Sequence, residues 1–132
     1  MIRRDFLQAE IEKLAQTLAK IMGLKEASQN QEAEVLLDKT LNQSFDLDLK
    51  EIQEADPQQL KQLLLVRNFP AEKLDLLSKF LVESVSPFQH NTETVIILSH
   101  VLTIYQFLAQ EHHTQSFENM NQERVILQIL QQ

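Results

Sequence analysis

The chain contains no cysteine, one glycine and three prolines in 132 residues. Without cysteine there is no disulfide framework, no thiolate metal site and no cysteine nucleophile, and the compartment expected is the cytoplasm. The single glycine, Gly23, cannot build a glycine-rich phosphate loop. So few turn-forming residues, in a chain rich in Leu, Gln, Glu and Lys, leave a sheet protein without its turns and predict an all-α fold. A basic excess is missing too: 12 Lys and Arg stand against 19 Asp and Glu, for a net charge of −7. Phosphate contacts need a basic footprint, so nucleic acid is not an expected partner. The charge is uneven, at +2 over residues 1–25, −7 over 26–59 and −2 over 60–132. A mildly basic first helix therefore precedes an acidic middle.

The length suits one domain over residues 1–132, large enough to bury roughly two thirds of its unfolded surface. The opening MIRRDFLQAEIEKL scatters charges among its apolar residues and does not read as a secretory signal. The most apolar stretch is Thr94 to Ala109, TVIILSHVLTIYQFLA, with apolar residues all round the helix. A helix of that kind needs neighbours on most sides, which makes it the expected centre of the fold. It falls short of the roughly 18 uninterrupted apolar residues of a membrane span and carries Ser99, His100, Thr103 and Gln106, so no span is expected. Its β-branched start, Val95 to Leu98, raises a strand reading that the length of the run and its lack of Gly and Pro overrule.

The other helices can be placed in order. From Arg3 to Leu24, Leu7, Ile11, Leu14, Leu18 and Ile21 alternate spacings of four and three, the seam of a bundle or coiled-coil contact, with Gly23 as the expected stop. A second helix, Gln29 to Ser44, follows a short loop, so the two form an antiparallel hairpin. Asp48 and Glu51 have capping-box spacing for a short helix ahead of Ile52, and Asp56, Pro57 and Gln59 mark a further start. Helices from Pro57 to Arg67, from Pro70 to Ser84 or Val85, and from Asn119 to Gln131 complete the expectation, with Phe117 and Met120 packed under the start of the last. The result is six to seven helices around the segment 94–109.

No catalytic or cofactor motif accompanies them. His112 and His113 are adjacent and point about 100° apart on a helix, and Glu111-His112-His113 lacks the four-residue histidine spacing of the zinc-protease helix. No metal site is expected. Acid pairs such as Asp46/Asp48 and Glu32/Glu34 lie in a charged stretch that favours solvated carboxylates, and no oxyanion-hole signature accompanies Ser99-His100. An enzyme is therefore not expected, and neither is a cofactor. Ser99, Thr103 and Gln106 share a face of the central helix and predict a place where it meets solvent, a groove or a partner.

Several stretches carry a resemblance: Arg3-Arg4-Asp5-Phe6, Met22-Gly23-Leu24, Gln31-Glu32-Ala33, Phe45-Asp46-Leu47-Asp48 and the C-terminal SFENMNQERVILQIL. Together they resemble an uncharacterised family of small bacterial helical proteins related to tetratricopeptide repeats. The resemblance implies a helical fold and partner binding, and brings no activity or functional residues. No clean internal period of about 34 residues occurs, so a stacked array and a closed bundle both stay open. The expected function is a protein–protein interaction module for a protein or peptide partner, with self-association through Leu7, Ile11, Leu14, Leu18 and Ile21 as one mode. The alternative is a small-molecule-binding bundle with a pocket at Ser99, His100, Thr103, Tyr105 and Gln106.

Overall fold

A computed structural model describes the backbone of residues 2–131 and the side chains of residues 5–131. The side chains of Arg3 and Arg4, and hence part of the resemblance, lie outside the described residues. Among the described residues the chain is all-α, with no strand. Its seven helices are α1 (Ile2–Glu26), α2 (Asn30–Phe45), α3 (Leu49–Glu54), α4 (Pro57–Arg67), α5 (Ala71–Ser84), α6 (Thr92–Glu111) and α7 (Phe117–Leu130). The chain divides into two compact units, residues 1–49 and 50–132.

The first unit is the α1–α2 hairpin and the turn that follows it. Leu14 and Ile21 of the α1 seam are buried, as are Ala33, Leu37 and Leu41 of α2, while Leu7, Ile11 and Leu18 are only half-buried. Gly23 does not stop α1. It is helical, a Cβ on it would meet nothing within 4 Å, and the helix runs on to Glu26, with Ser28 in the turn beyond it taking the left-handed conformation at φ 62°. Gln29 occupies the N-cap of α2 without a side-chain hydrogen bond, so neither Ser28 nor Asn30 caps that helix. Asp46 closes α2 in the left-handed region. Phe45 and Leu47 are buried while Asp46 and Asp48 are exposed, and residues 46–48 link α2 to α3 without regular structure.

The second unit is organised by α6, which contacts α4, α5 and α7. Ile97, Leu98, Val101 and Ile104 are completely buried, as are Leu77, Phe80 and Leu81 of α5. Starts and stops follow local chemistry. At α4 the Asp56 carboxylate accepts from the Gln59 backbone N–H at 2.8 Å and the Gln59 side chain accepts from the Asp56 N–H at 2.9 Å, a closed capping box with Pro57 just inside it. Such a cap contributes about 1 kcal/mol. Asn91 accepts from Thr94 N–H at the start of α6, and Ser116 accepts from Asn119 N–H at the start of α7. Asn68 and His113 take left-handed conformations after α4 and α6. The start at Ser116 overturns one expectation: Phe117 becomes the first helical residue and is 86% exposed, and Met120 is exposed as well, so neither packs under α7.

Candidate functional site: a groove along the first hairpin

Two cavities open along the face where α1 and α2 meet. The larger, about 630 Å³, lies at the loop end, against Leu24 and Lys20 of α1 and Glu32, Val35, Leu36 and Lys39 of α2. The second, about 300 Å³, lies toward the opposite end, against Glu10, Lys13 and Thr17 of α1 and Lys39, Thr40 and Ser44 of α2. They share Leu36 and Lys39, so they adjoin on one face of the hairpin and are described together as a groove. From Glu10 to Leu24 a helix rises about 21 Å, which sets its length.

The groove combines an apolar floor with charged rims. Leu24 and Leu36 are half-buried, and Val35 is 62% exposed beside the cavity. The Thr17 hydroxyl donates to the Lys13 carbonyl at 2.9 Å and the Thr40 hydroxyl to the Leu36 carbonyl at 2.7 Å. Both donors are thus used within their own helices. On the same helix as Val35, the Asp38 carboxyl is held above its usual range, by burial first and then by the negative charges of Glu34 and Asp48.

The expected pocket residues of α6 do not come together. His100 is 2% exposed, and neither ring nitrogen has a partner at hydrogen-bonding geometry. Burial holds its imidazole below the ordinary value, against the opposing pull of the backbone at Ala55 and Ile52 and of the Asp56 carboxylate. Tyr105 and Gln106 lie elsewhere, on a cleft of about 140 Å³ between α6 and α7 that also touches Asn119 and Glu123. Burial pushes the Tyr105 phenol up to about 12; Ser78 pulls it the other way, and Asp75, Glu118 and Glu123 add to the rise. Ser99 and Thr103 donate to the carbonyls of Val95 and Ser99, at 2.8 and 3.2 Å, so the polar stripe is largely turned back onto its own helix; only Gln106 is exposed.

The polar contacts around this cleft tie α5 to α7. Asn119 donates to the Asp75 carboxylate at 2.6 Å, and Lys79 lies 3.5 Å from Asp75 and 3.3 Å from Glu118. Among the described residues, no three His, Asp or Glu side chains converge in a way that could hold a metal ion. In comparisons with protein-family models, curated proteins and solved structures, nothing matches this chain.

Proposed function

We propose that this chain is a non-enzymatic helical interaction module and that the groove between α1 and α2 receives a helical segment of a protein partner. The observation that carries this reading is the adjacency of the two cavities at Leu36 and Lys39, which sets apolar side chains at Leu14, Leu24, Val35 and Leu36 among polar and charged ones along one face of the hairpin. A trough of that form suits an amphipathic helix, whose anchors fall at successive turns along one face. It also fits the partner binding implied by the resemblance to tetratricopeptide-related proteins. The seam residues Leu14 and Ile21 are buried, which favours the groove over the seam as the docking surface.

Small-molecule binding near Tyr105 finds less support. The cleft there is about 140 Å³, below the range of roughly 300–1,000 Å³ usual for ligand sites, and His100 is not among the residues that line it. We read α6 as the core of the second unit: it is long and apolar enough to cross a membrane, and half of its most apolar window is buried inside the protein.

Val35→Arg tests the module reading, because the exposed position tolerates the side chain while the arginine fills the groove. Partners captured by the wild-type chain and quantified should fall about ten-fold or more with the variant, at unchanged helicity and melting temperature. Capture that is indifferent to Val35→Arg removes the groove from consideration. A dimer seen by light scattering in both proteins would transfer the case to Leu7, Ile11 and Leu18.

A further inference from the structure

We infer that the helix accepted by this groove is acidic, with its carboxylates across the middle of its length; this rests on the groove being the docking site. The order of charges along the trough carries the inference. Lys39 belongs to both cavities and so lies at the centre. Lys20 joins it from the loop-end cavity and Lys13 from the other, while Glu32 is found only at the loop end and Glu10 only at the far end. Three ammonium groups thus follow one another along the trough, with the Glu32 carboxylate beside the loop-end cavity. All three lysines are exposed, and among the described residues none of them makes an ion pair.

A complementary ligand carries negative charge opposite the lysines and none opposite the ends. A polyphosphate strand fits poorly, because its charge is uniform and would meet Glu32 at the loop end, and because it brings no apolar face to Leu24, Val35 and Leu36. A second copy docking groove on groove fits poorly as well. A two-fold axis across the trough sets Lys39 against its own copy and Lys13 against Lys20, which opposes like charges at the centre of the contact. The apolar floor of Leu24, Val35 and Leu36 requires the ligand to be amphipathic, and about four helical turns span the trough.

The test uses the full chain and three labelled synthetic helices of about four turns, identical on their apolar face and bearing Glu, Gln or Lys at the mid-helix polar positions. Fluorescence anisotropy should show the acidic peptide binding about ten-fold or more tightly than the neutral one. That advantage should disappear with rising salt, and equally in a Lys13→Gln, Lys20→Gln, Lys39→Gln variant of unchanged melting temperature. Val35→Arg should remove binding although it adds positive charge, which separates filling of the groove from loss of attraction. If acidic and neutral peptides bind alike and Val35→Arg removes both, the acidic preference is wrong and the docking groove stands. Tighter binding of the basic peptide, or of a single-stranded oligonucleotide that displaces the acidic one, also overturns the preference. No binding by any peptide, or binding that survives Val35→Arg, overturns both readings.

Discussion

Leu98→Ala should destabilise the second unit by about 3 kcal/mol, the middle of the range for deleting a fully buried leucine. Leu98 is completely buried, and Ile97 and Val101 beside it on α6 are equally inaccessible. Because α6 contacts α4, α5 and α7, a void at its middle is bounded by helices that cannot all move in to close it. Part of the loss is the transfer of three carbon atoms out of an apolar surrounding, and the rest is the cavity that remains. Denaturant unfolding followed by circular dichroism reads the change as a lowered midpoint at unchanged slope. A loss below about 1 kcal/mol would mean that the site collapses around the alanine and that α6 is not the tightly packed centre described above.

His100→Leu should act in the opposite direction at neutral pH, raising stability by about 1 kcal/mol, because it replaces a buried ring that meets the backbone at Ala55 and Ile52 only outside good hydrogen-bond geometry by an apolar side chain. The pH dependence gives the sharper readout. Burial lowers the folded-state pKa of His100 beneath the value near 6.5 that applies in the unfolded chain. The unfolded state therefore binds the proton more readily. The associated stability is fully present above the unfolded value and is lost as pH falls from there through the folded one. Wild type minus variant, taken from unfolding curves at a series of pH values, should thus become progressively less favourable to the wild type below about pH 6.5. Parallel acid limbs for the two proteins would show that His100 is not the group responsible.

Much of the fold could be read from local chemistry. Asp56-Pro57-Gln59 spells a capped helix start in three residues, and the structure closes both of its hydrogen bonds. The apolar run at Thr94 lies within α6, whose Asn91 cap is likewise visible in the sequence. Where local signals misled, the reason lies in how many ways a signal can be satisfied. Gly23 suggested a stop because glycine tolerates a left-handed turn, but it is also compatible with a helix, and the helix runs three residues further to Glu26, with the left-handed residue at Ser28. Phe117 looked like a core residue by its chemistry alone. The Ser116 cap fixed the phase of α7 and turned the phenylalanine outward, with Ile126 on the buried face.

The groove was less legible, because it depends on which faces of two helices are set side by side. Lys13, Lys20 and Lys39 are polar positions on separate helices, and nothing in their spacing announces that they line one trough. The separation of His100 from Tyr105, by contrast, follows from helix geometry: five residues correspond to about 140° around the axis, so the two could not share one pocket wall.

The glycine that failed to end α1 has an effect of its own. A glycine inside a helix costs about 1 kcal/mol relative to alanine, and Gly23 is followed directly by Leu24, which lines the groove. The last turn of α1 is therefore expected to open more readily than it would with alanine at this position. The amide protons of Ala27 and Gln29, bonded to the carbonyls of Gly23 and Leu24 at 3.0 and 2.8 Å, sense that opening directly. Their hydrogen exchange should therefore serve as an occupancy meter for the hairpin, slowing if a ligand rests on Leu24, with no label attached to either molecule.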